Sequence, residues 1–150
     1  MLLDELGEAR ARELFARHDE IVRSVVSEHG GSEVENEGDA FMLAFSSARA
    51  ALGCAIAAQR RLCDVGTLRV RVGVNTGEVV ADQNRLFGRA VFVAARIASK
   101  ARGEQILTSE VTRTLVGDDG FAFRDRGVHK LKGFTGAHRL FEVEWTRSAS

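Results

Sequence analysis

The sequence predicts an α+β fold in which helices cover a largely antiparallel sheet. Apolar residues recur at helical spacing over residues 3–29, and residues 46–65 are rich in alanine. Residues 68–75 alternate strictly between apolar and polar, which is typical of a strand with one buried face. Gly38-Asp39 stands between two strand-like segments, which is the signal of a β-hairpin.

The first elements are a helix and a hairpin. Residues 3–29 form the helix, which the glycine pair at 30–31 ends. Residues 32–36 and the apolar run at 41–45 form the two strands, with Asp39 at or near the turn.

A second helix and a second pair of strands follow. Residues 46–65 are helical, with Ser47 as the expected N-cap. The alternating strand at 68–75 meets a Thr-Gly turn, after which residues 78–81 are expected to return antiparallel to it.

The C-terminal part alternates helices with strands. Residues 89–101 present an Ala/Val/Ile face and are predicted to be helical. Residues 104–108 form a strand, and residues 109–116 form a short helix with Ser109 as its N-cap. Thr112, three residues later, is neither Glu nor Gln, so no capping box is expected. Strands at 121–128 and 139–145 complete the chain.

Composition indicates a globular chain of one domain over residues 1–150. The 21 basic and 21 acidic residues balance, which argues against a general nucleic-acid or membrane-surface binder. No signal peptide, membrane span, CxxC or Cys/His cluster is visible, so we expect a cytoplasmic protein without zinc. Cys54 and Cys63 are interpreted as two buried thiols in a reducing compartment.

Five segments, in order along the chain, resemble the signature motifs of one enzyme family. They are HGG with VENEGDA at 29–40, RVGVNTGE at 71–78, GRAVFVAAR at 88–96, GEQILTS at 103–109 and LKGF at 131–134. The chain thus resembles the catalytic domain of class III nucleotidyl (adenylate/guanylate) cyclases. The resemblance covers nearly the whole chain and implies a ferredoxin-like cyclase homology domain.

The resemblance also implies a chemistry. In this family a ribose 3′-hydroxyl attacks the α-phosphorus of a nucleoside triphosphate, and pyrophosphate leaves. Two metal ions, Mg or Mn, lower the pKa of the hydroxyl and neutralise phosphate charge. The partner subunit supplies a ribose-orienting Asn and a transition-state Arg, so the expected partner is a homodimeric copy or another cyclase domain, with a purine nucleotide as ligand.

The metal half of the site is only partly present in the sequence. Asp39 matches the metal ligand of the hairpin, although a turn aspartate also has purely structural uses. The family's other metal Asp stands on a strand before the first helix, and no such strand is evident here. Asp4 is interpreted as an ordinary acidic residue of the first helical turn rather than that ligand.

Three residues match positions that contact base or phosphates. Glu35 aligns with the base-selecting position of guanylate cyclases, where a carboxylate accepts from guanine N1–H and the 2-amino group, or it is simply a solvent-facing strand residue. Arg85 aligns with the second base-selecting position, where it either donates to guanine or, as we favour, pairs with Glu35. Lys132 could meet a triphosphate, or be solvated or paired with a carboxylate.

The ribose half carries the largest departure from the family pattern. Phe92 stands where the family has its ribose-orienting Asn, and a phenyl ring makes no conventional hydrogen bond; it could instead fill a dimer interface. Arg96, four residues later on the same helix face, matches the transition-state Arg, or serves as a structural ion-pair partner.

These departures predict a degenerate, non-catalytic cyclase homology domain that acts as a dimerising or regulatory module and can still bind a nucleotide. The alternative is an active guanylate-type cyclase that depends on Mg or Mn and releases pyrophosphate. A third reading is an unrelated small-ligand binder on the same fold.

Overall fold

We describe a computed structural model of the chain, which covers residues 2–34, 41–65, 70–83, 85–118 and 120–146. The helices are α1 (Leu2–Glu28), α2 (Ala48–Val65), α3 (Arg89–Lys100) and α4 (Glu110–Val116). The strands are β1 (Ser32–Val34), β2 (Met42–Ala44), β3 (Val72–Val74), β4 (Val80–Asp82), β5 (Arg85–Phe87), β6 (Ile106–Ser109), β7 (Phe123–His129) and β8 (His138–Val143).

Within the described ranges the strands form three separate sheets. The largest has the order β3-β6-β8-β7, in which β3 and β6 are parallel and the other neighbours antiparallel. The other two are the antiparallel hairpins β1–β2 and β4–β5. The α+β class with mostly antiparallel pairing is therefore confirmed.

One predicted pairing is wrong. Residues 78–81 do not return along β3: β4 pairs with β5, and Val72 of β3 lies opposite Ile106 of β6. A parallel pair needs a long crossover connection, and α3 provides it. The parallel partner also lets β3 lie beside the fully buried Ile106, whereas β4 is exposed throughout.

The observed helix ends agree with those predicted from the sequence. Gly30 has φ 70°, and the Gly31 N–H donates to the Val26 O at 2.9 Å, so the glycine pair ends α1 as expected. The Ser47 hydroxyl accepts from the Ala50 N–H at 3.2 Å, which confirms the cap of α2. The cap of α4 is confirmed in the same way, with Ser109 as acceptor.

Three apolar clusters form the core. The first joins α2 to the large sheet, around Leu52 and Ile106. The second joins α1 to α2, around Val25 and Leu62, and the third lies beneath α3, around Ile97. In the part of the chain described, no helix is long and apolar enough to cross a membrane.

The interpretation of both thiols as buried is wrong for one of them. Cys54 is buried, whereas Cys63 on the same helix is exposed. Nine residues at about 100° each turn an α-helix by two and a half revolutions, so these two side chains leave opposite faces of α2. Burial raises the pKa of the Cys54 thiol to about 11.

Candidate functional site

Helix α3 carries two of the predicted site residues, and β3 fixes its position. Gly73 lies so close to the helix that a Cβ atom there would come within 2.6 Å of the Ala94 O and 2.7 Å of the Ala98 Cα. Both are backbone atoms, so only glycine permits this approach. On its buried face α3 inserts Ile97, which has no exposed surface.

The turn after β3 holds the first turn of α3. The Asn75 Nδ2 donates to the Ala90 O at 3.1 Å, and a Cβ at Gly77 would lie 2.7 Å from the Ala90 Cβ. Sequence reasoning did not assign a role to Asn75. The available signal was an amide side chain directly after a buried strand and shortly before a glycine turn.

The structure brings Phe92 and Arg96 together on the outer face of α3. Phe92 is 62% exposed and Arg96 is also exposed, and their four-residue spacing places them side by side. No carboxylate of the described ranges pairs with Arg96, so the ion-pair reading of this residue stays a prediction. The described core does not need the Phe92 ring, because most of that ring contacts solvent.

Lys132 lies in a loop that is anchored beside the start of α3. Leu131 is buried in the same cluster as Ile97, and the Phe134 N–H donates to the Leu131 O at 3.0 Å. The guanidinium of Arg89, the first residue of α3, lies 4.7 Å from the centre of the Phe134 ring. Lys132 is exposed in this loop, and the buried Leu131 and the contact of Arg89 with Phe134 hold the loop in place. Sequence reasoning did not find this contact of Arg89.

The two residues predicted to read the base are only partly described. Arg85 is exposed on β5, with its guanidinium 5.9 Å from the Phe87 ring. Glu35 and Asp39 lie outside the described residues, so the Arg85–Glu35 pair and the metal role of Asp39 stay predictions.

The strands that flank residues 35–40 are tied to α1. The Arg23 Nε donates to the Glu33 carboxylate at 3.0 Å, and the same guanidinium lies 5.3 Å from the Phe41 ring. The hydrogen bond and negative charge of Glu33 raise the pKa of Arg23 further. A cleft of about 320 Å³ between α1 and this hairpin has the same ion pair on its border.

The described ranges hold no group of three or more His, Cys, Asp or Glu side chains that could bind a metal ion.

Comparison with known proteins identifies the family. A model of the adenylate and guanylate cyclase catalytic domain matches residues 9–144, which is most of the chain. The chain belongs to this cyclase family. The resemblance seen in the five sequence motifs is therefore confirmed at the level of the family.

Relatives of this cyclase domain include proteins of several bacteria. An uncharacterised protein of Mycobacterium tuberculosis is 33% identical over 125 residues, covering 79% of this chain and 43% of that protein. A pH-sensitive adenylate cyclase of the same species is 37% identical over 79 residues, covering 50% of this chain and 20% of that protein. The cyclase domain spans less than half of either relative.

A solved structure confirms the fold. The crystal structure of an adenylate/guanylate cyclase/hydrolase from Silicibacter pomeroyi superposes with a TM-score of 0.78 at 29% identity. The match covers 94% of this chain and 87% of that one.

Proposed function

We propose that this cyclase domain has lost turnover and acts as a module that associates with a second cyclase domain. The observation that carries the proposal is Phe92. It stands at the position that the family resemblance gives to a ribose-orienting Asn, and it is 62% exposed on the outer face of α3.

Two physical arguments support loss of catalysis. A phenyl ring offers neither the donor nor the acceptor that orients a ribose hydroxyl, and loss of such positioning costs orders of magnitude in rate. In addition, the ring is not required by the described core, so its apolar character is best explained by a contact outside this chain.

The hairpin that precedes α3 exposes two further apolar side chains. Val80 and Phe87 lie directly opposite each other on β4 and β5, and their side chains are 65% and 47% exposed. Directly opposite residues of an antiparallel pair share one face of the hairpin. Three large apolar side chains, Val80, Phe87 and Phe92, are therefore exposed within 13 positions of the sequence.

The test measures association and turnover on the same samples. Sedimentation of the wild-type chain is expected to show a dimer, or a mixed dimer when an intact cyclase domain is added. Phe92→Asn is expected to weaken the association about tenfold or more, because an exposed aromatic anchor carries a large part of interface energy. Leu115→Asn is the matched control, since Leu115 is a large apolar residue with a similar exposure, 64%, on a different helix, α4. A chain that stays monomeric alone and with the second domain would contradict the proposed association.

Turnover is measured as pyrophosphate release from GTP and ATP with Mg or Mn. We expect none from the wild-type chain. The alternative function is an active guanylate-type cyclase, which the match of Arg96 to the transition-state Arg favours. It requires GTP-dependent release that Asp39→Ala abolishes, and that result would overturn the proposed loss of activity.

Retention of a nucleotide, with Mg or Mn, is a further part of the proposal. A ligand that binds only the folded chain raises its melting temperature by mass action. We expect GTP with Mn to raise it more than ATP, cAMP or cGMP. No rise with any of the four would leave association as the whole function.

A further inference from the structure

The hairpin of β7 and β8 brings together two histidines that are nine positions apart in the sequence. His129 and His138 lie directly opposite each other in the register of the two strands. Directly opposite residues of an antiparallel pair project from the same face of the sheet, with Cβ atoms about 4.5–5.5 Å apart. The two imidazole rings are therefore neighbours, although the sequence contains no Cys/His cluster.

Both rings make a hydrogen bond of the same kind. The His129 Nε2 donates to the Arg126 O at 2.9 Å. The His138 Nε2 donates to the Thr135 O at 3.1 Å. A carbonyl oxygen only accepts, so each Nε2 carries a proton and the free lone pair of the neutral ring belongs to Nδ1. Neither Nδ1 makes a hydrogen bond to the part of the chain that the structure describes.

This arrangement is typical of histidines that bind metal ions. A metal-binding imidazole usually donates its other ring N–H to a backbone carbonyl or a carboxylate, which fixes the tautomer and the orientation of the ring. His129 and His138 both have that bond, and both are partly buried. The two rings are therefore restrained, each with one unused nitrogen lone pair, before any ion binds.

The charges near the pair indicate which class of ion can bind. Arg126 directs its Nε to the Glu142 carboxylate at 2.7 Å, so a negative charge offsets its own. Lys130 and Lys132, in the loop that joins the two strands, are exposed, and solvent screens them. A pair of imidazoles without a carboxylate suits a late transition metal, whereas Mg²⁺ prefers oxygen ligands.

We propose that His129 and His138 form a binding site for a divalent late transition-metal ion, with Zn²⁺ as the test ion. The two Nδ1 atoms bind the ion, and water completes its coordination. Because His129 ends β7 and His138 begins β8, the ion restrains the connecting loop, which carries Lys132. The proposal is independent of the Mg or Mn role predicted for Asp39 and of the proposed loss of turnover.

Calorimetric titration of the whole chain with Zn²⁺ tests the site. The titration uses the Cys63→Ser chain, because the exposed Cys63 thiol is also a zinc ligand. We expect one ion per chain. His129→Gln and His138→Gln should each weaken binding about tenfold or more, since one remaining imidazole no longer chelates the ion. His18→Gln is the matched control, a partly buried histidine of α1, and should leave the affinity unchanged.

Chemical modification locates the ion on the wild-type chain. Diethyl pyrocarbonate acylates a free imidazole nitrogen, and mass spectrometry identifies the modified residue. Zn²⁺ is expected to protect His129 and His138 together. If either histidine variant melts below the wild type without metal, this measurement carries the test, because it leaves the chain unchanged.

A thermal shift gives a third readout. Zn²⁺ at one hundred times its dissociation constant should raise the melting temperature by about 5–10 °C, and the rise should disappear in both histidine variants. Three results would overturn the proposal: absence of zinc binding, an unchanged affinity in either His129→Gln or His138→Gln, and protection of only one of the two rings.

Discussion

Replacement of Gly73 by alanine tests the contact on which the position of α3 depends. The added Cβ would overlap the Ala98 N and lie 2.6 Å from the Ala94 O. Carbon atoms normally approach such neighbours to about 3.5 Å, so α3 must move outward by about 1 Å. Neither obstructing atom can rotate away, because both belong to the helix backbone.

The expected cost follows from that displacement. Overpacking of a well-filled core costs about 1–3 kcal/mol, and a rigid backbone obstruction places this site near the upper value. For a chain of this size about 3 kcal/mol corresponds to a fall of about 6–12 °C in melting temperature. The same displacement loosens Ile97 from the cluster beneath α3.

Gly53→Ala is the matched control. Gly53 lies inside α2, and a Cβ there would be 3.3 Å from the Cδ2 of His29, a side-chain atom that must shift by only a few tenths of an ångström. Because alanine favours a helix interior over glycine by about 1 kcal/mol, this variant is expected to be neutral or more stable. Urea and thermal unfolding of both variants measure the difference. The close approach of β3 and α3 would be refuted if Gly73→Ala were as stable as the wild type. It would also be refuted if Gly73→Ala and Gly53→Ala lost the same free energy of unfolding.

Two further predictions concern ionisable groups. The Gly127 N–H hydrogen bond and, beside it, Arg139 lower the pKa of Asp125, so its stabilising effect is present at neutral pH and is lost as pH falls through that lowered pKa. Asp125→Asn should therefore melt below the wild type at pH 7, and the gap should close towards pH 3; a gap that does not change with pH would contradict this. With a pKa of about 11, the Cys54 thiol is about one part in a thousand thiolate at pH 8, and it is buried. A disulfide reagent should thus modify the exposed Cys63 first and Cys54 only on unfolding, whereas two equally fast thiols in the folded chain would disprove the burial.

The sequence by itself determined the family, the class of fold and the ends of most helices. These features depend on local chemistry: the hydroxyls of Ser47 and Ser109 reach backbone donors three residues later, and Gly30 adopts a positive φ that ends α1. The family resemblance also predicts that Phe92 stands where the family has its ribose-orienting Asn, because motif spacing is independent of packing.

Only the tertiary structure decided which strands pair and which residues are exposed. The alternating pattern of β3 predicts a strand, but it does not distinguish a neighbour at 78–81 from the distant β6, because both offer the same backbone groups. Pairing is selected by what covers the sheet, and α3 can cover β3 only where Gly73 lacks a side chain. The exposure of Phe92 and Cys63 likewise depends on which face of each helix packs against another element. That packing is a property of the whole folded molecule and not of any local segment.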